Sequence, residues 1–277
     1  DSFTHDMARS RAYRWGEDVI GGLCDSQQRL CLSVALWNGQ DPILKERLFG
    51  LTNRQGNHGE DVKECYYYLD ATPTHSYLKM LYKYPQAAYP YRQLVEENAQ
   101  RQIDQMEFEL IDTGVFDQNR YFDIFVEYAK GTCDDMLMRI TVHNRGDEDA
   151  TLHLLPGVLF RNTWSWDDSA KPRIEYVSPG CMQLSHIELG TYRLYVEGEA
   201  ELLFCENESN GPRLWETDGK GYFKDGLHDY VISGEKSAIN PERFGTKAAA
   251  HYELALAAGG TEQVRLRLTS KKLVAPF

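Results

Sequence analysis

Between Arg54 and Tyr91 the chain concentrates side chains that building a fold does not by itself require. Eight of its 17 tyrosines fall between Tyr66 and Tyr91, interleaved with Lys63, Glu64, Asp70, His75 and Lys79 and preceded by His58, Glu60 and Asp61. A phenol offers an apolar ring to the C–H face of a sugar and a hydroxyl to its hydroxyls, at low cost in rotamer entropy. His58, Glu60, Asp61, Tyr66, Tyr68 and His75 are therefore candidate contact residues. Tyrosine is also a good strand former, so the same run suits the edge of a large sheet. A second candidate is Arg161-Asn162-Thr163-Trp164-Ser165-Trp166-Asp167-Asp168. If extended, this segment sets Trp164 and Trp166 on one face about 6.6 Å apart, a platform for a sugar or a partner domain with Arg161 at its side. The competing reading puts both indoles in the core, where tryptophans are mostly found.

Other chemistry finds little support. The eight histidines, His5, His58, His75, His143, His153, His186, His228 and His251, show no H-E-x-x-H and no H-x-H, and no cysteine pair lies near them, so neither a metal nor a cofactor is expected. There is no G-x-S-x-G, no P-loop and no G-x-G-x-x-G. Carboxylates occur in neighbouring pairs, Glu17-Asp18, Glu60-Asp61, Asp134-Asp135 and Asp167-Asp168. Glycoside hydrolysis needs two carboxyls about 5 to 10 Å apart across a sugar. Neighbours in a strand point to opposite faces, so such a pair is not that machine. Asp134-Asp135 reads as a turn before a strand, and no catalytic residue is assigned.

The bulk numbers bound the partners. A formal charge of -12 makes a phosphate backbone or an anionic membrane an unlikely surface to bind, because nucleic-acid binders need a basic stripe. No stretch approaches 18 apolar residues. Six scattered cysteines without a C-x-x-C favour free, mostly buried thiols and a reducing, cytoplasmic setting. The start, which is not Met and has no apolar leader core, reads as that of a cut piece. Asn207-Glu208-Ser209 matches a glycosylation sequon at the level of chance.

Positioning elements are mainly strands. Met136, Met138, Ile140 and Val142 share one face; Asn144-Arg145-Gly146-Asp147 turns the chain, and Thr151 to Phe160 returns as the second arm of a hairpin. The same design recurs at Tyr252, Leu254 and Leu256, Gly259-Gly260, then Val264, Leu266 and Leu268. Further strands are expected at Arg29 to Trp37, Val62 to Leu69, Phe108 to Val115, Tyr121 to Tyr128, Met182 to Leu189, Tyr192 to Val196 and Glu201 to Cys205. Helix is expected at Tyr91 to Ile103 and for a turn or two at Ile43 to Phe49. Short alternating runs without a βαβ rhythm predict a mainly β, antiparallel sandwich with a few short helices, in one domain spanning 1–277.

Long motifs also carry a family resemblance: HDMARSRAYRWGED at His5 to Asp18, VALWNGQDPILKERLFGLTN at Val34 to Asn53, NHGEDVKECYYYLDATPTHSYLKMLYKYPQAAYPY at Asn57 to Tyr91, LIDTGVFDQNRYFDIFVEYAK at Leu110 to Lys130, ITVHNRG at Ile140 to Gly146 and FRNTWSW at Phe160 to Trp166. Together they resemble the amino-terminal portion of bacterial glucosidase-like proteins, similar to glycoside hydrolase family 63, the group of mannosyl-oligosaccharide glucosidase. That resemblance implies a galactose-mutarotase-like super-β-sandwich packed on an (α/α)6 barrel, with the acid and base of an inverting reaction in the barrel. The chain stops at Phe277 after its last expected hairpin, so no catalytic residue carries over and the chain alone is expected to be inactive. The expected role is a noncatalytic domain that supports the barrel and shapes its cleft for oligosaccharide. The alternatives are an independent carbohydrate-binding module and a free-standing mutarotase-like enzyme.

Overall fold

The structure, a computed structural model, describes residues 4–14, 19–50, 62–166 and 169–277. In chain order the strands are β1 (Ile20–Cys24), β2 (Leu30–Trp37), β3 (Cys65–Ala71), β4 (Tyr77–Pro85), β5 (Tyr121–Thr132), β6 (Asp135–Asn144), β7 (Ala150–Phe160), β8 (Arg173–Ser178), β9 (Cys181–His186), β10 (Gly190–Val196), β11 (Glu201–Cys205), β12 (Phe244–Gly245), β13 (Lys247–Leu256) and β14 (Thr261–Thr269). Helices are few and short: α1 (His5–Ser10), α2 (Tyr91–Gln100), α3 (Gly211–Trp215) and α4 (Gly226–Ser233).

Two sheets form, of five strands in the order β1-β2-β7-β13-β11 and nine in the order β12-β8-β9-β10-β14-β6-β5-β4-β3. Every ladder is antiparallel. Their inner faces meet in one core, because alternation puts Leu32, Val34, Leu154, Phe160, Ala250 and Tyr252 on one side and Tyr82, Ile124, Val126, Ile140, Leu194 and Leu266 on the other. This is the mainly β, antiparallel sandwich that the alternation predicts. Tyr128 donates from its hydroxyl to the Gly21 carbonyl at 2.6 Å and so ties the two sheets together. Gly21 sits at φ +60 in a bulge of β1, and a side chain there would press on Val126 at 3.2 Å.

The five-stranded sheet is covered on its outer face as well. Ala35, Leu155, Leu203 and Ala249 point away from the main core and pack on Leu44 and on Leu227 of α4. A polar clamp holds this layer: buried Asp225 accepts from Ser10 Oγ at 2.7 Å and from Arg213 at 2.5 Å.

Several local expectations differ from what forms. Neither expected hairpin is one: β6 and β7 lie in different sheets, as do β13 and β14, so the turns at Asn144–Asp147 and Gly259–Gly260 carry the chain from one sheet to the other. Leu110–Thr113 is a 3-10 turn rather than part of a strand, fixed by Glu109 and Asp112, whose side chains cap each other's backbone. Ile43 to Phe49 makes no helix. Its Lys45 backbone instead bridges Leu36 of β2 with bonds of 2.9 and 3.0 Å, and Arg47 bridges Val19. Helix α2 stops at Gln100, short of Ile103, with Arg101 already extended. Strands β1, β4, β8 and β12 and helices α1, α3 and α4 have no counterpart among the expectations.

Candidate functional site

The tyrosine-rich run divides into a buried half and an exposed half, and the register of one hairpin decides which is which. Strand β3 pairs with β4 so that Tyr66 opposes Tyr82 and Tyr68 opposes Met80. Tyr82 and Tyr84 alternate inward on β4, fully buried and stacked with centroids 5.9 Å apart. Their hydroxyls need acceptors there: Tyr82 donates to Glu64 at 2.8 Å and Tyr84 to Asp41 at 2.5 Å. Glu64 also accepts from Lys45 Nζ at 2.8 Å and from the Phe49 amide at 3.0 Å. Lys45 Nζ lies 3.6 Å from the Tyr89 ring centre and 4.5 Å from that of Tyr91, a cation held between a carboxylate and two aromatic faces.

Burial sets the protonation of this box. It pushes the Asp41 carboxyl above its ordinary value, against the opposing pull of Lys45 and of donors Tyr84 and Tyr89. It also drives the four phenols of Tyr82, Tyr84, Tyr89 and Tyr91 well above theirs. His5, edge-on to Phe49 with centroids 5.4 Å apart, is held well below 6.5 by burial first and then by Lys45, Arg47 and Arg9. Just before β3, buried Lys63 pairs with Glu107 and, at 3.0 Å, with Glu109. Apart from the Tyr91 hydroxyl and His5 Nδ1, which are buried without a hydrogen-bond partner among the described residues, these groups satisfy one another inside the fold, so this half of the run is structural.

The outer half lies on β3, the terminal strand of the nine-stranded sheet among the described residues. Tyr67, Tyr68 and Leu69 are 48%, 77% and 49% exposed, and Tyr66 meets Tyr68 edge-to-face at 5.7 Å. The connection after α2 adds exposed Ile103, Met106 and Ile111, and the Lys63 ion pairs tie that connection to the start of β3. His75, exposed, takes φ +49 in the turn between β3 and β4. His58, Glu60 and Asp61 lie outside the described residues.

Trp164 and Trp166 sit in a turn, not a strand, which corrects the extended reading. Asn162 makes the turn: its Oδ1 accepts from the Ser165 hydroxyl at 2.7 Å, and the Trp166 amide closes on Thr163 O at 2.9 Å. The indoles consequently diverge. Trp164 is partly buried against the core and donates to Glu208 at 3.1 Å, while Trp166 is 46% exposed. Arg161, whose Nε donates to Arg14 O at 2.5 Å, places its guanidinium 5.6 Å from the Trp166 ring centre, with that of Arg14 at 6.0 Å.

A cleft of about 640 Å³ opens where hairpin ends meet between the sheets. Leu23, Leu30 and Leu32 line one wall, and Met136, Leu189 and Leu268 the other. Polar groups come from three hairpins: Asp25 and Ser26 from β1–β2, His75 from β3–β4, and from β5–β6 both Lys130 and Asp134, which accepts from Tyr192 at 3.0 Å. Asp135 is clamped by Arg267 through bonds of 2.8 and 2.6 Å, which hold its carboxyl below the usual range. The volume and the apolar walls with a polar rim are those of a small-ligand site. Among the described candidates proposed from sequence, His75 alone lines it. The remainder went unseen because its walls come from segments far apart in the chain, and only the shared polarity of the hairpin turns hinted at them.

Among the described residues no group of three His, Cys, Asp or Glu side chains converges to hold a metal ion, and no helix is long and apolar enough to cross a membrane.

Fold and cleft define a two-sheet antiparallel sandwich with an open end. No protein-family model matches the chain. It is 41% identical to Uncharacterized protein YMR196W of Saccharomyces cerevisiae over 91% of its own length, and it spans 27% of the length of that protein. Among solved structures it is similar to a polysaccharide lyase, at 10% identity and TM-score 0.41, over 87% of this chain and 25% of that one. It is also similar to a galactose mutarotase related enzyme from Lactobacillus acidophilus, at 8% identity and TM-score 0.34, over 91% and 97% of the two chains.

Proposed function

We propose that this chain is the noncatalytic sandwich domain of an inverting α-glycosidase of the glucosidase type, resembling glycoside hydrolase family 63. In this reading it packs on an (α/α)6 barrel and shapes that barrel's cleft for an oligosaccharide. The observation that carries the reading is β3, the last strand in the order of the nine-stranded sheet among the described residues, where Tyr67, Tyr68 and Leu69 stand exposed. Sheet edges of this kind are normally blunted or covered, and a neighbouring domain is the cover proposed here. The motifs through Tyr91 and across Phe160 to Trp166 support the family, and the greater length of the yeast relative leaves room for a barrel.

The test is to co-express the chain with the segment that follows it in its parent gene and purify through a tag on one partner. A stable complex with glucosidase activity, weakened by Tyr68→Glu, is expected; two components that elute separately, or a complex indifferent to Tyr68→Glu, overturn the reading. A second reading, an independent carbohydrate-binding module, is favoured by Trp166, which is exposed between two guanidiniums. Titration of gluco- and manno-oligosaccharides into the parent and Trp166→Ala chains distinguishes the two. A binding module loses about 1 to 3 kcal/mol of affinity with the ring, and a packing domain shows no binding to lose.

A further inference from the structure

Of the six cysteines, Cys24 and Cys31 alone are partners in a strand pairing: they oppose each other across the β1–β2 hairpin. The next rung outward is hydrogen-bonded, with the Asp25 amide donating to Leu30 O at 3.4 Å. Rungs alternate in an antiparallel pair, so Cys24 and Cys31 occupy a non-hydrogen-bonded rung, the closer kind, with Cα atoms about 4.5 Å apart. That separation lies inside the range a disulfide spans. The two side chains share one side of the sheet, and the Cys31 thiol donates to Gln28 O at 3.5 Å. Their exposures differ: Cys24 is open to solvent, while Cys31 is 3% exposed against Tyr13 and Leu159.

We propose that Cys24 and Cys31 form a redox-active dithiol, a modification site that peroxide-class oxidants close to a cross-strand disulfide. In the first step the Cys24 thiolate attacks a peroxide oxygen, the O–O bond breaks, and hydroxide leaves with Cys24 as sulfenic acid. In the second, Cys31 sulfur attacks the Cys24 sulfur; its proton leaves with the displaced hydroxyl as water, and the S–S bond forms. Two sulfurs lose two electrons in all, and the peroxide gains them. Asymmetry favours this order of events. The neighbouring Cys31 thiol lowers that of Cys24 to about 7, against opposing effects of partial burial and of Asp25, while the Cys24 sulfur first and burial second push the Cys31 thiol up and hold it protonated as the resolving thiol. Asp25 is largely turned away, accepting from the amides of Gln27 and Leu30. The hairpin also contributes Leu23, Asp25 and Leu30 to the cleft, so closure of the bond pins one cleft wall.

The experiment treats the folded chain with hydrogen peroxide, alkylates the remaining thiols and maps peptides by mass spectrometry. A single Cys24–Cys31 link is expected, two hydrogens lighter, reversed by dithiothreitol and retained in Cys133→Ser. In Cys31→Ala, Cys24 is expected to accumulate as a sulfenic acid trapped by dimedone, and its alkylation rate at pH 7 to fall about tenfold as the neighbouring thiol is lost. A link from Cys24 to Cys133, over-oxidation of Cys24 in the parent chain without a disulfide, or no reaction overturns the proposal. So does an unchanged alkylation rate in Cys31→Ala. The peptide map of the parent chain needs no variant to fold.

Discussion

Replacing Lys45 with methionine tests whether the buried tyrosine box is a structural element. Lys45 and Glu64 have no exposed side-chain surface, and Nζ stands 2.8 Å from Oε1. At an effective dielectric of about 20, two unit charges at that distance attract by about 6 kcal/mol, while each ion gives up several kcal/mol of hydration to be there. The net worth of the pair is therefore small, but breaking it is not. Methionine preserves the stem over Tyr89 and Tyr91 and leaves the Glu64 carboxylate with only Tyr82 and the Phe49 amide as donors. A loss of about 3 to 5 kcal/mol is expected, the usual cost of an uncompensated buried charge. For 277 residues this corresponds to a fall in Tm of about 5 to 9 °C. Urea titration followed by tryptophan fluorescence measures it, alongside Glu64→Gln and the double variant. The double variant is expected to cost clearly less than the two singles together, because it leaves no stranded charge. A loss below about 1 kcal/mol for Lys45→Met, or strict additivity in the double, would refute the electrostatic account.

Acid should weaken the fold through His5. Its folded-state value lies below the unfolded 6.5, so unfolding takes up a proton and the stability present above 6.5 is lost as pH falls toward the folded value. From pH 7 to 5.5 this contributes about 1 kcal/mol, which urea midpoints should show in the parent and not in His5→Gln. Gly245→Ala should cost about 1 to 3 kcal/mol by the same titration, because its Cβ would meet the backbone oxygen of Cys205 at 2.1 Å and neither backbone can yield freely. Tyr68→Lys, on the exposed edge, should leave stability within about 0.5 kcal/mol and raise the concentration at which light scattering begins, and unchanged scattering would count against the edge as an adhesive surface.

The sandwich was legible because period-two alternation survives wherever one face of a strand is buried. Met136 to Val142, Thr151 to Phe160 and Val264 to Leu268 show it, and each lies within a strand of the structure. Ile43 to Phe49 misled because an apolar spacing of three or four residues also arises in an irregular segment that buries Ile43, Leu44, Leu48 and Phe49 while its backbone bridges β2. The site was less legible. Composition could mark the tyrosines as unusual but not divide them, since a one-residue change of register exchanges inner for outer faces. Tyr82 and Tyr84 became core by their place on β4, whereas Tyr67 and Tyr68 stayed outside on the terminal strand. The Trp pair depended on a backbone that Asn162 turns, and the cleft on segments that only the finished topology brings together.

Asn207 carries a consequence for the ends of the chain. Fully buried, it accepts from the Tyr13 amide at 2.7 Å through Oδ1 and donates through Nδ2 to Tyr13 O at 3.0 Å and Phe160 O at 2.8 Å. A sugar cannot be attached to an amide nitrogen that is spent in this way, so the sequon read in Asn207-Glu208-Ser209 is closed to modification once folding is complete. Conversely, proteolytic trimming past Tyr13 would strip two of these three bonds from one carboxamide at a stroke. The segment just after the opening helix thus behaves as a latch that tethers distant loops, and its release should let hydrogen exchange accelerate first at the far ends of β7 and β11.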